Sequence, residues 1–313
     1  MLTTEYFAEW LELKKPELRK STYDAYCNYI NRHIIPYFEQ HRVKLEKLTP
    51  VMVKKYVNDK LQGGRLDGKT GGLTEISVRK HLNVIKQALN DAVIYGYISA
   101  NPATPVRMRR RTTIMSDNIR YLTADEAKVI LKSLEQYPEI HLAVMLSLFY
   151  GLRKSEVLGL RWSAIDFDRD VLCINHTVVK GSTIEAGDQT KTEGSRAKYQ
   201  LLPNVKIALQ AHKARTESIG SQYVLTRQDG SVMRPDSLTR TFQRCLKRLG
   251  FEKMRFHDLR HSTATILFDH GWSIEDVRHW LRHSDIETTF NIYNHYSEHR
   301  KVLMGKDISR IFA

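Results

Sequence analysis

Cysteine is scarce. Three residues in 313, Cys27, Cys173 and Cys245, lie far apart with no CxxC pair. That argues against a zinc site and a disulfide framework and fits a reducing cytosol. Long apolar runs are missing too. No stretch approaches the roughly 20 residues of a membrane span, and the opening "MLTTEYFAEWLELKK" carries acids among its apolar residues, unlike a signal peptide. The chain has no Gly-rich phosphate loop, no ordered carboxylate cluster for Mg²⁺, no repeats and no low-complexity tract. Acids are outnumbered, with 35 Asp+Glu against 49 Lys+Arg and a net charge of +14. Such an excess speaks to partners rather than fold. A polyanion is the economical partner, and nucleic acid is the commonest one.

What is present is enough apolar content, 42%, for a sizeable core, and enough length for two domains. The first 115 residues hold 20 Lys+Arg against 11 Asp+Glu, the remaining 198 hold 29 against 24, and "RMRRR" (Arg107 to Arg111) closes the more basic part. Tyr6, Phe7, Trp10, Leu11 and Leu13 recur at helical spacing. "STYDAYCNYINRHIIPYF" predicts a helix capped by Ser21. "TPVMVKKYVNDKLQ" has Thr49 as cap and Pro50 at the first helical position. "GGRLDGKTGG" is a loop, and "TEISVRKHLNVIKQALNDAVIYGYI" a longer amphipathic helix. Residues 1–104 therefore read as a small helical bundle, 105–119 as a basic linker and 120–313 as a second domain. The second domain opens with a Thr123/Glu126 capping box and continues through an apolar helix ending at Gly151. It turns β-rich from Ile165 to about Leu202, where "DQTKTEGSRAKYQLL" looks like a hairpin. Helices return at 203–218, 236–249, 257–270, 273–281 and 285–295. The fold class expected is mainly α with a small antiparallel β-sheet.

Four segments carry the chemistry: "YGLRKSEVLGL", "QTKTEGS", "FHDLRHS" and "LRHSDIETTFNIYNHY". An H-x-x-R pair, then an H-S-D turn, then a tyrosine ten residues past that histidine in "IYNH", is a specific combination. Together the segments resemble the tyrosine recombinase family, the integrases of phages and conjugative transposons, over nearly the whole chain. The resemblance implies a helical core-binding (SAM-like) domain followed by a catalytic domain, clamped around duplex DNA. It implies a site-specific recombinase that forms a 3′-phosphotyrosyl link while integrating and excising a mobile element. Its partners would be double-stranded DNA attachment sites and three further copies in a tetramer on DNA, with room for an excisionase and a host DNA-bending protein. No membrane partner, metal or other cofactor is implied, and the location would be the cytoplasm of a bacterial or phage-infected cell.

The residues fit that chemistry. Attack on a phosphodiester adds charge to its non-bridging oxygens, and two guanidiniums can clamp them through fork-shaped hydrogen bonds. Arg153 and Arg260 are the candidates. Tyr293 suits the nucleophile, and His257, three residues before Arg260 on one helical face, suits the acceptor of its proton. The departing 5′ oxygen needs a proton in return. Lys191 matches the family's general acid, His283 would add a hydrogen bond to the phosphate, and Glu156 would orient Arg153. His261 reads as a hydrogen-bonding part of the fold; His279 and Trp280 read as packing. Plainer readings stand beside these. Arg153 alone is equally a structural partner of Glu156, Lys191 alone a solvated hairpin lysine, and Arg107, Arg109, Arg110 and Arg111 a solvated run that also suits a DNA backbone. Arg282 departs from the family pattern, which usually places glycine there; it is expected to alter the turn or add a phosphate contact.

The resemblance leads one to expect, ahead of the core-binding helices, the arm-binding domain of many integrases; with those helices beginning almost at Met1, the expectation is a short family member or a trimmed chain. The tail's Val302, Leu303, Ile308 and Ile311 would dock on a neighbouring protomer. Deleting the residues after Tyr296 is expected to leave DNA binding largely intact and damage recombination, as paired gel-shift and recombination assays would report. Rival readings are a Xer-like resolvase with the same chemistry, a DNA-binding regulator without catalysis, and, more remotely, a metal-dependent nuclease.

Overall fold

The computed structural model describes residues 1–108, 120–180, 184–187, 197–283, 289–290 and 292–294. Lys191, Arg109, Arg110, Arg111 and the tail residues Val302, Leu303, Ile308 and Ile311 lie outside the described residues. The chain divides into two compact units, Met1–Met115 and Ser116–Ala313, each with its own apolar core.

The first unit contains α1 (Thr3–Lys14), α2 (Lys20–Tyr29), α3 (Ile35–Glu39), α4 (Pro50–Gln62) and α5 (Glu75–Ile94). Helix α1 buries Tyr6, Phe7, Trp10 and Leu11 along one stripe. The polar tips of two of these rings are satisfied by α5: Tyr6 Oη donates to the Ala88 carbonyl at 2.6 Å, and Trp10 Nε1 to Asp91 at 2.7 Å. Thr49 and Thr74 cap α4 and α5 by accepting from the Met52 and Ser77 amides. Ser21 is not a cap. Helix α2 starts two residues earlier, with Arg19 as N-cap, and the Tyr23 amide already bonds the Arg19 carbonyl, placing Ser21 inside the first turn. The helix is also interrupted by a π-turn at Ile30–Ile34. Pro36 has no N–H and its ring crowds the carbonyl of Arg32, so the ladder widens, with the Ile35 amide reaching back to Ile30. Ala103 and Val106 are buried in this core.

The second unit runs α6 (Ala124–Leu134), α7 (Pro138–Tyr150), α8 (Lys154–Gly159), β1 (Ile165–Asp166), β2 (Val171–Ile174), β3 (Thr177–Lys180), β4 (Ile184–Gly187), β5 (Ala197–Gln200), α9 (Pro203–Thr216), α10 (Pro235–Arg248), α11 (Asp258–Asp269) and α12 (Ile274–Leu281). The expected Thr123/Glu126 capping box opens α6. Helix α7 is apolar on nearly every side because it is the central element, touched by α6, α9 and α11. Small residues let α11 approach it closely, and Thr263 donates its hydroxyl to the Leu148 carbonyl at 3.0 Å. Among the described residues the strands form two antiparallel sheets, β1-β2-β5 and β3-β4. Residues 188–196 of the hairpin expected at 188–202 lie outside the described residues; its described part, β5, pairs antiparallel with β2, Tyr199 opposite Leu172. Tyr199 is buried, and its hydroxyl donates to the Trp280 carbonyl at the end of α12.

Candidate active site

Three helix ends meet in the second unit: the turn after α7, the start of α11 and the end of α12. Gly151 ends α7 in the left-handed conformation, φ 61°. Its carbonyl accepts from Arg260 Nη1. A Cβ at Gly151 would stand 2.0 Å from Leu281 Cδ2, and Leu281 is fully buried. Gly151→Ala should therefore cost about 2–4 kcal/mol, backbone strain and overpacking together. Thermal unfolding should register a drop on the order of 5–10 °C; an unchanged midpoint would show that Leu281 yields freely.

The two candidate clamp arginines are tied to consecutive carbonyls at the end of α12. Arg260 Nη2 donates to the Leu281 carbonyl, and Arg153 Nη2 to the Arg282 carbonyl at 3.4 Å. This is the negative end of the α12 dipole, which favours cations. The two side chains differ in access. Arg153 is 34% exposed, whereas Arg260 is 1% exposed. Burial, then the charge of Arg153, pushes the Arg260 pKa down to about 9, so the guanidinium remains protonated at neutral pH. Its described bonds, to Gly151, Leu281 and His283, use three of its five N–H donors.

Glu156 lies beneath Arg153. Its Oε1 accepts from Arg153 Nη1 at 3.0 Å and its Oε2 from the Arg153 amide at 2.8 Å. Burial raises the carboxyl's pKa, but Arg282, Arg153, the Arg153 amide and Arg260 outweigh it and hold the group below its ordinary range. Arg282 stands in the left-handed conformation, φ 55°, where α12 ends. It is turned inward, pairing with Glu156 Oε2 at 2.9 Å and lying 5.6 Å from the Tyr199 ring.

Burial favours the neutral forms of the site histidines. His283 Nε2 accepts from Arg260 Nε at 3.3 Å, so its proton sits on Nδ1 and is donated to Thr289 Oγ1 at 2.7 Å. Burial, then Arg260 and Arg153, drives its pKa down to about 3. In this arrangement His283 has no second N–H to offer a phosphate; what it does is hold Arg260. His257 is solvent-exposed at the N-terminal end of α11, yet the surrounding protein, Arg260 and Arg153 lower its pKa. Its ring meets His261 edge-on at 4.9 Å. His261, expected to hydrogen-bond, instead packs against His257 and Tyr121, and its buried Nδ1 has no partner among the described residues. Burial, then His257, lowers its pKa to about 4.

His261 and His283 have folded pKa values below the unfolded value near 6.5. Their neutral forms are stable above that value, and the stability they lend is lost as pH falls towards 4 and 3. Lowering the pH from 7.5 to 5.5 should cost on the order of 1 kcal/mol per histidine. Unfolding midpoints across that range, for the chain and for His261→Asn, measure the share of His261; identical slopes would contradict it.

Tyr293 is half-buried, and its ring meets Phe268 edge-on at 5.2 Å, beside Ile292, Val277 and Leu281. Phe268 lies eight residues beyond Arg260 on α11, about 12 Å along the axis. The structure thus brings Arg153, Glu156, His257, Arg260, Arg282 and His283 into one cluster and seats the Tyr293 ring on Phe268. Trp280 packs as expected: it stacks on Tyr150 and donates to the Phe149 carbonyl at 3.1 Å, fastening α12 to α7. Sequence reasoning missed the carbonyls of Gly151 and Leu281, the role of Thr289 and the inward turn of Arg282. Only the left-handed cap at Gly151 left a readable sign.

Comparison with known proteins identifies the scaffold. The phage integrase family model matches residues 120–300, and the model of the phage integrase N-terminal SAM-like domain matches residues 4–61. The chain belongs to the phage integrase family. This integrase-family chain is a tyrosine recombinase, an enzyme of site-specific DNA recombination. It is 25% identical to a XerC-like tyrosine recombinase of Caldanaerobacter subterraneus over 97% of this chain and 81% of that protein. It is 24% identical to the integrase of Mycobacterium phage L5 over 98% and 78%. The fold matches that of the Tn1549 transposon integrase, solved with a circular-intermediate DNA, with TM-score 0.76, 17% identity and coverage of 93% and 94%. A lambda integrase tetramer on a Holliday junction matches with TM-score 0.68, 19% identity and coverage of 93% and 77%. Among the described residues no helix is long and apolar enough to cross a membrane.

Proposed function

We propose that this chain cuts and rejoins duplex DNA at attachment sites through a 3′-phosphotyrosyl intermediate, integrating and excising a mobile element. The observation that carries the reading is the pair of guanidiniums anchored on the Leu281 and Arg282 carbonyls. Arg153 and Arg260 would hold the non-bridging oxygens of the scissile phosphate. Tyr293 Oη attacks phosphorus and its proton passes to His257. The bond to the 5′ oxygen breaks, and that oxygen takes a proton from Lys191. Reversal by another 5′ hydroxyl rejoins the strand, so the balance needs no external energy source. His283 fixes Arg260, and Glu156 fixes Arg153. Arg107, Arg109, Arg110 and Arg111 would follow the DNA backbone, four protomers would assemble on two sites, and the setting would be the cytoplasm.

The test is a nicked suicide duplex carrying the element's end, taken from the DNA that flanks the gene. In EDTA, a protein–DNA adduct that survives SDS supports the reading; no adduct from the wild-type chain on either strand overturns it. The XerC-like relative favours a second reading, resolution of chromosome dimers. Efficient recombination of chromosomal dimer sites, with none between element ends, would select it.

A further inference from the structure

Arg282 occupies a position that costs backbone energy. A non-glycine residue at φ 55° carries about 1 kcal/mol of strain, and here the side chain is turned inward rather than released to solvent. Its exposure is 6%, and that of Glu156 is 2%. Glu156 is thereby shared: Oε1 holds Arg153, while Oε2 takes both the Arg153 amide and the Arg282 guanidinium. Arg282 also supplies the carbonyl that accepts from Arg153 Nη2. One residue therefore holds Arg153 twice, once directly through its backbone and once through the carboxylate.

We propose that Arg282 is a positioning residue, its buried guanidinium locking Glu156 so that Glu156 presents Arg153 to the scissile phosphate in one orientation. This departs from the expectation of a direct phosphate contact, and it rests on the phosphotyrosyl chemistry proposed above. The physical need is clear. A carboxylate bonded to Arg153 alone would neutralise that guanidinium and leave the carboxylate itself mobile. A second cation divides the carboxylate's charge and fixes both of its oxygens, leaving Arg153 with positive charge to spend on the phosphate. The ring of Tyr199 supports the face of Arg282, as a planar cation allows and an ammonium does less well.

The test is a double-mutant cycle on the nicked suicide duplex, read as the single-turnover rate of adduct formation at saturating DNA and, separately, as the Kd. Arg282→Gly relieves the strain, so it should fold. Its adduct rate should fall roughly 10- to 30-fold with Kd changed less than about twofold. Arg282→Lys, which keeps a charge within reach of Glu156, should recover to within about threefold of wild type. Glu156→Gln should lose a similar factor, and the double variant should be no slower than the worse single one, because both changes cut the same linkage. Thermal unfolding accompanies each variant; if Arg282→Gly unfolds, the cycle is run with Arg282→Gln. Losses that multiply in the double variant, a Kd weakened tenfold with the saturated rate intact, or a wild-type rate in the glycine variant would each overturn the inference. Wild-type protein that forms no adduct overturns the phosphotyrosyl reading and this inference with it, whereas a normal wild-type adduct with indifferent Arg282 variants sinks this inference alone.

Discussion

Tyr293→Phe is expected to abolish the SDS-stable DNA adduct while leaving DNA binding within about twofold of wild type. The change removes one oxygen and keeps the ring that packs against Phe268, so the fold is hardly disturbed. The loss should be complete because no other group replaces a covalent nucleophile. Tyr296, three residues on, is the natural control. Tyr296→Phe should retain the adduct, and a pattern reversed between the two tyrosines would move the nucleophile to 296. An adduct that persists in Tyr293→Phe and maps to another side chain would remove the central role given to this residue. The seat on Phe268 adds a second expectation. If the phenol must leave that contact to reach the phosphate, Phe268→Leu should raise the rate of adduct formation, by up to a few-fold.

Arg260 should show the other large effect, on rate and stability together. Its guanidinium serves the Gly151 carbonyl, the Leu281 carbonyl and His283 Nε2 while filling buried volume. Arg260→Ala orphans three buried acceptors, each worth about 1–3 kcal/mol, and opens a cavity. Removing a buried charge that sits beside Arg153 offsets part of that cost, so a net loss of about 3 kcal/mol is the expected size. The adduct rate at saturating DNA should fall by roughly 10³, the scale seen when one preorganised donor group is removed from a developing oxyanion. Arg260→Lys keeps the charge but cannot fork to two carbonyls, and should lose roughly 10² in rate. An alanine variant with a normal adduct rate would show that the phosphate is held elsewhere.

Much of this site was legible in the chain itself. H-x-x-R on one helical turn, the apolar run closing at Gly151 and the Thr123/Glu126 box are local patterns. They depend on helical spacing and on the few conformations open to glycine and to capping residues, and the structure places each as its pattern implies. The rest was decided by groups that the local pattern does not rank. Ser21 is a good cap by type, but the ladder had already begun at Arg19. Arg282 left two readings open, an altered turn or a phosphate contact. Glu156, 126 positions away, turns it inward.

Sequence alone therefore determined the chemical cast of this integrase-family protein: arginines that stay charged, a phenol, histidines able to carry a proton, and helices long enough to hold them. These are properties of residue types and short spacings. Tertiary structure alone decided the assignments within that cast. It made Arg260 buried and Arg153 open, turned His283 into an acceptor, and gave Glu156 two cations. Those outcomes depend on which carbonyls the ends of α7 and α12 bring together, and a buried donor or acceptor takes whatever partner lies within about 3 Å, however far off it stands in the chain.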